Sequence, residues 1–337
     1  MAHSLSEYYA TNYTHCDVDR SFLASWKGAA YPVRVVQVIT LPFSFLTFYC
    51  ILKKTPQVMK TVKWPLFHNH LWAALVNFTI CTLAPPYTFY PSLAVSSLGV
   101  LMWLKVPPEI QQFWGGIVVS GDQLTLLRLY ELRSSLIEEN RFKMERKWTK
   151  ILFYSFNVCC CFVASVPYML NTTGNQEEAL LDMLTMLPCP TEEFFFLKTY
   201  VTIHDVTAAL LLISFVALNT LFLGAQFLFF SGCCIYYLFY TPNINTSAQT
   251  RQLQRRFFIG LCLQTAVPFL FFAGASGMLY LQGAINQVSQ KVTNFVVICW
   301  SLHGLAESIT VVVVHQTYRD FVKKKVLGLL GWRGLWK

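Results

Sequence analysis

Charge is what this chain has least of. Asp, Glu, Lys and Arg make up 13% of its 337 residues, against roughly 25% in soluble domains, while 55% are hydrophobic and 16% aromatic. That shortage excludes an ordinary soluble protein and makes lipid the solvent for most of the chain. Acids are scarcer than bases, 17 against 26, but the bases form no single patch or stripe, which argues against a nucleic-acid partner. Residues 1 to 28 lack the apolar core, roughly 7 to 15 residues long, of a cleavable signal peptide, so the first apolar span is expected to do the targeting. Signatures of chemistry are missing too: no HExxH, no paired catalytic acids and no Gly-flanked serine. No enzymatic activity, cofactor or metal site is therefore expected. No repeat relates the two halves, which disfavours a transporter, and no lysine lies inside the last span to form a retinal Schiff base, Lys291 standing at its edge.

What is present is a series of apolar runs. A helix needs about 20 predominantly apolar residues to cross a bilayer, and seven runs qualify, near 31–52, 66–90, 110–131, 149–170, 206–238, 257–281 and 292–315. An eighth piece, Ser92 to Leu104, is too short and reads as part of the first outer loop or an extension of the second helix. Twenty of the 26 bases fall in the loops after spans one, three and five and in the tail, against five of the 17 acids. Lys and Arg near helix ends resist translocation, so that face is expected to be cytoplasmic. The reading is an all-α integral membrane protein, a seven-transmembrane helix bundle with its N-terminus outside and its C-terminus in the cytoplasm. It divides into an extracellular segment (1–28), the bundle (29–318) and a basic amphipathic tail (319–337). An insect-type odorant channel, with its N-terminus inside, conflicts with this charge pattern. A ligand-gated channel or transporter is the rival class.

The loop opening the stretch from Thr241 to Phe271 carries Arg251, Arg255 and Arg256 between two spans on the basic face, and would report inward anything sensed outside. Asn12-Tyr13-Thr14 and Asn171-Thr172-Thr173 are glycosylation acceptor patterns in outer segments, whereas matches at Asn77 and Asn245 fall in a span and an inner loop. Nine of eleven cysteines lie in or beside helices, where Cys is a small apolar packer. Cys16 and Cys189 alone lie in outer loops, either bridged into a lid or left as two free thiols. Ionisable groups within spans are functional candidates because a charge in hydrocarbon is costly. Asp122 in span three and His303 and Glu307 in span seven form either a buried polar switch or a static packing network. Glu131 and Arg133 end span three as a lock between inner helix ends or as two snorkelling residues. Pro167 and Pro268 are expected kink sites.

Lys54-Thr55-Pro56, Pro188-Cys189-Pro190, Ser247 to Thr250 with Leu253, Gln254, Phe257, Gln264 and Pro268, and Leu302-His303-Gly304 followed by Tyr318-Arg319 together resemble the nematode serpentine receptor class H (Srh) chemoreceptors, rhodopsin-like seven-helix receptors, over about residues 16 to 325. That resemblance implies a plasma-membrane chemoreceptor, in sensory-neuron cilia, taking a small-molecule cue outside and coupling to a heterotrimeric G protein inside. Its G-protein-facing residues would be Glu131, Arg133, Arg255, Arg256, Tyr318 and Arg319. By depth and chemistry, and not from the resemblance, ligand would enter among the outer halves of helices three, five, six and seven, near Trp114, Tyr200, His204, Tyr280 and Trp300; oligomeric state is left open. The family's acid-Asn-Arg at the end of helix three appears as Glu131-Leu132-Arg133, with Glu139-Asn140-Arg141 as a rival match. Glu307 stands where a small or neutral residue is expected. The outer start of span three lacks the cysteine usual in rhodopsin-like receptors, which favours a Cys16–Cys189 bridge.

Overall fold

The structure, a computed structural model, describes residues 4–92, 94–166, 175–203, 205–241, 247–285 and 287–329. A short α1 (Leu5–Ala10) precedes α2 (Trp26–Lys54) and α3 (Lys60–Phe78); a one-turn α4 (Val100–Trp103) leads into α5 (Pro108–Ser135) and α6 (Lys147–Ser165). After two small helices, α7 (Gln176–Met186) and α8 (Glu193–Phe196), come α9 (Val206–Ile235), α10 (Ala248–Ala284), α11 (Gln290–Val314) and α12 (Gln316–Leu329). The helix starts have local causes. Ser25, Asp205 and Ser247 each accept a hydrogen bond from the backbone N–H three residues on, satisfying a donor the helix leaves unpaired. Pro107 and Pro108 begin α5, where a missing N–H costs nothing. The α10 helix continues through Pro268, which is buried.

Seven long helices, α2, α3, α5, α6, α9, α10 and α11, make the bundle, and α11 packs along α10, α2 and α3. Five of the seven are apolar and long enough to cross a membrane on their own count. The other two, α3 and α5, are more polar because they carry Asn69, His70, Asn77, Gln111 and Asp122. The first four of these are at most 6% exposed, so the polarity is turned inward and lipid is not asked to solvate it.

The second span departs from expectation. Its helix stops at Phe78, passes through a π turn (Thr79–Leu83), and residues 86–89, read as helix, form a strand. Pro85 and Pro86 explain this: consecutive prolines supply no N–H and clash with the preceding turn, while an apolar run cannot tell strand from helix by itself. The piece from Ser92 to Leu104 is likewise no helix extension. Its Ala94–Ser97 pairs back as a strand, and only Val100–Trp103 is helical. The resulting antiparallel sheet has the order β1 (Pro86–Phe89), β2 (Ala94–Ser97), β3 (Tyr200–Val201), with Pro86 opposite Ser97 and Val95 opposite Tyr200.

Read along α2, α3 and α11, the interior has three storeys. Tyr87, Phe89, Ala29, Leu180 and Phe194 form an apolar cluster under the sheet, and Ile51, Leu66, Leu127, Leu261 and Tyr318 form another at the basic end. Between them a small apolar cluster of Val33, Cys81 and Val297 is joined by buried polar side chains: Gln37, Ser44, Thr47, His70, Asn77, Ser301, Glu307 and Ser308. Two glycines let helices close around this layer. A Cβ on Gly121 of α5 would lie 2.3 Å from the Trp72 ring of α3, and one on Gly304 of α11 would lie 2.6 Å from Asn77 Cβ. Gly304→Ala is expected to destabilise by about 1–3 kcal/mol, the range for overpacking a tight core, read as a lower unfolding temperature in detergent.

Candidate functional site

The N-terminal segment folds over the sheet end of the bundle. A disulfide joins Cys16 to Cys189 across 173 residues. Around it, Tyr8 and Tyr13 donate hydrogen bonds to the carbonyls of Pro188 and Pro190 at 3.0 and 2.8 Å, and Tyr9, Tyr13 and Phe195 pack ring against ring. Tyr87 reaches out of the sheet to the Ala24 carbonyl at 2.6 Å and to Thr191 at 2.8 Å. Burial, reinforced by Glu192, pushes the Tyr13 phenol up to about 12, so it stays a donor at physiological pH. Lys291 at the start of α11 lies 2.9 Å from Asp19 and holds its carboxyl below the usual range. Both partners are well exposed, and such pairs contribute only about 0–1 kcal/mol.

The polar layer is organised by a pair of which sequence reading saw one half. His70 Nδ1 of α3 lies 2.5 Å from Glu307 Oε2 of α11, with both side chains almost wholly buried. His70 Nε2 faces the Ser44 carbonyl at 3.3 Å, and because a carbonyl only accepts, that nitrogen carries a hydrogen. Nδ1 is then the nitrogen that meets the carboxylate. Ser44 Oγ meets Ser308 Oγ at 3.1 Å, and Thr47 donates to the Ser308 carbonyl at 3.0 Å, so the pair is tied to α2 as well. His303 Nε2 is 3.8 Å from Asp122 Oδ2, an ion-pair distance too long for a hydrogen bond. Asp122, His303 and Glu307 thus lie with His70 in one buried layer, in which His70–Glu307 and His303–Asp122 are the closest pairs. His70 was legible as an ionisable residue inside span two, by the same rule that picked out the other three.

At the basic end Glu131 and Arg133 do not pair with each other. Two residues apart on a helix, they point to opposite sides. Glu131 accepts from Ser135 at 2.6 Å and from Tyr154 of α6 at 2.7 Å, with Lys150 at 3.7 Å. The Arg133 guanidinium lies 3.1 Å from the centre of the Phe257 ring of α10. Phe257 packs on His315 and His315 on Tyr318, whose hydroxyl meets Thr55 at 2.7 Å. An unbroken column from Arg133 to Thr55 therefore ties α5, α10, the α11–α12 junction and the end of α2 together. Arg251 and Arg255 donate to the Leu238 carbonyl at 3.0 and 2.6 Å, in the π turn (Tyr236–Tyr240) that follows α9. Arg256 is exposed, and Arg319 donates to the Val313 carbonyl at 3.3 Å. Of the rival motif, Asn140 is buried and bonded to Ser134, while Arg141 is exposed.

The four described ligand candidates have separate surroundings. Trp114 donates to Thr79 at 3.1 Å, and Trp300 donates to Ser276 at 3.2 Å and stacks on Phe272. Tyr200 is buried in β3, whereas Tyr280 is 79% exposed, too open to line an enclosed site. His204, Asn171 and Pro167 lie outside the described residues. Asn12 is exposed just before a 3-10 turn (Tyr13–His15) that leads to the disulfide.

The family model described as "Serpentine type 7TM GPCR chemoreceptor Srh" matches residues 24–328. The protein named Serpentine receptor class H-72 of Caenorhabditis elegans is 34% identical over 324 residues, covering 95% of this chain and 92% of that one. Squid rhodopsin superposes with a TM-score of 0.51 over 97% of this chain and 92% of that one, at 10% identity, a likeness that speaks to the fold alone.

Proposed function

Since the chain belongs to the serpentine seven-transmembrane chemoreceptors of class Srh and is a multi-pass membrane protein, we propose that it senses a small molecule at the disulfide-capped end and signals to a heterotrimeric G protein at the basic end. The capped end then faces outward at the plasma membrane of a sensory cell, with Asn12 available for glycosylation, and the basic end faces the cytoplasm. The observation that carries this reading is the column from Arg133 through Phe257, His315 and Tyr318 to Thr55, because it closes the basic end where an activated receptor has to open. Glu131, Arg133 and Tyr318 are engaged within the bundle in this conformation. Parting α10 from α5 would release Arg133 and open a cleft bordered by Arg255, Arg256 and Arg319. A ligand drives that change only as far as it binds the open state better.

A desolvated cation–π contact is worth about 2 kcal/mol, so Phe257→Ala is expected to shift the closed-to-open ratio by up to about thirtyfold and raise ligand-independent G-protein activation. Resonance-energy transfer from the receptor to a panel of G proteins, in cells bearing terminal epitope tags, reads both orientation and coupling. An N-terminal tag reached only after permeabilisation, or a Phe257→Ala variant at normal surface level that recruits no G protein, would sink the proposal. The shift to lower mass on glycosidase treatment should disappear in a variant lacking both Asn12 and Asn171.

A further inference from the structure

Beside the sheet, where β2 and the approach to β3 meet the start of α5, lies a cavity of about 290 Å³ that none of the residues discussed above explains. Its charged walls are Lys105 and Lys198, and neither forms an ion pair among the described residues. The nearest acid in sequence, Glu109, stands outside the lining, with its own Oε2 buried and unpartnered. Two polar groups face the same space unpartnered. Ser97 Oγ is buried without a hydrogen bond, and so is Oε1 of Gln111, a residue 6% exposed. The Gln111 amide cannot simply be turned over, because its Nε2 donates to the Val106 carbonyl at 2.8 Å. Lys105 is also the one described non-glycine residue with positive φ, at 57°. That left-handed conformation favours glycine, so a lysine there keeps its side chain at the cost of local strain, as functional positions do.

The donor set has a sense. Two exposed lysines and a buried hydroxyl line the site as hydrogen-bond donors with no acid among the lining residues, and a fixed amide oxygen waits for a donor. Val95 and Met102 supply apolar wall. We propose that this cavity binds a small carboxylic acid bearing a hydroxyl: the carboxylate between Lys105, Lys198 and Ser97, the hydroxyl donating to Gln111 Oε1, and an aryl or short alkyl body against the apolar wall. At this volume, at the low end for small-molecule sites, the ligand is of metabolite size. The proposal deepens the receptor reading by naming its cue, and rests on that reading only for what binding achieves.

Mandelate is a suitable probe, with methyl mandelate lacking the charge and phenylacetate lacking the hydroxyl. Binding is measured by equilibrium dialysis and thermal shift on the purified full chain in nanodiscs, with no G protein present. Mandelate should bind saturably, with the ester and phenylacetate each weaker by about tenfold or more, since charge-assisted bonds are the strong ones and a site built to pair a hydroxyl rejects the analogue without it. Lys105→Gly, which removes the cation and relieves the positive φ, and Lys198→Gln should each weaken mandelate about tenfold without lowering the unfolding temperature. Gln111→Leu should abolish the preference for mandelate over phenylacetate. The idea is overturned by absence of saturable mandelate binding, by an ester that binds as well as the acid, or by a Lys105→Gly/Lys198→Gln double variant with undiminished binding. None of those outcomes touches the G-protein result for Phe257→Ala, so the two readings fail separately.

Discussion

His70→Leu, with Glu307 left in place, is expected to destabilise the protein by about 3–5 kcal/mol, the cost of leaving a buried charge without its partner. The two side chains are 1% and 4% exposed, so no solvent stands ready to replace the imidazole. Glu307→Leu should cost less, because the imidazole can stay neutral and keep its hydrogen bond to the Ser44 carbonyl. The double variant His70→Leu/Glu307→Leu should recover most of the loss, since an apolar pair of similar volume removes the desolvation cost of both ions. Unfolding temperature in nanodiscs and yield at the cell surface measure all three. The signalling arm separates a switch from a static network: Glu307→Gln keeps the shape and removes the charge. If surface level and G-protein response both stay at the parental value, the Glu307 carboxylate has no part in activation. A double variant that folds but is locked in one signalling state would place the switch in this pair.

Cys16→Ser is the second large effect. In the chain-entropy account, cross-linking residues 173 apart restricts the unfolded chain strongly, and removing a native disulfide costs about 2–5 kcal/mol. The loss should be concentrated at the cap, because the transmembrane helices keep their own packing. Tyr8, Tyr13 and the Asp19–Lys291 pair still hold the segment, so partial docking is expected. The measurable outcome is a site of proteolysis opening before Trp26 together with a drop in surface yield, reproduced by Cys189→Ser and by the double variant. A cap equally resistant to protease after both substitutions would show that hydrogen bonds and ring packing suffice.

The parts of the fold visible in sequence were those governed by length and composition. Seven apolar runs correspond to seven long helices because roughly 20 apolar residues have few alternatives to crossing a bilayer. Where the backbone had a choice, composition was silent: Tyr87 and Phe89 are apolar whether they sit in a helix or a strand, and only the neighbouring Pro85 and Pro86 hinted at the break. The site was less legible for a different reason. Glu307 was conspicuous in sequence as a charge in hydrocarbon, but its partner is 237 residues away, and nothing local joins them. Glu131 and Arg133 looked like a pair by proximity along the chain, whereas helix geometry turns them towards Tyr154 and Phe257. Trp114, Tyr200, Tyr280 and Trp300 were chosen by depth, which says how far along a helix a residue lies and nothing about which way it faces. The lysine cavity at the capped end draws Ser97, Lys105, Gln111 and Lys198 from four separate segments, and only the turn at 99–107 and the sheet bring them together.

The α9 helix and the π turn that extends it run from Val206 to Tyr240, apolar almost throughout, and only 6% of its most apolar window is buried in protein. At 1.5 Å per residue that is about 50 Å, against a hydrocarbon core of about 30 Å. Its neighbours cover little of it, so the surplus is settled between the helix and the lipid, by tilt or by local thickening of the bilayer. Arg251 and Arg255 fasten the far end of α9 to α10, so a change in that tilt is carried to the helix whose Phe257 closes the basic end. On the proposed mechanism, bilayer thickness would then bias the resting balance of the molecule, and the same chain would respond differently in thin and thick membranes.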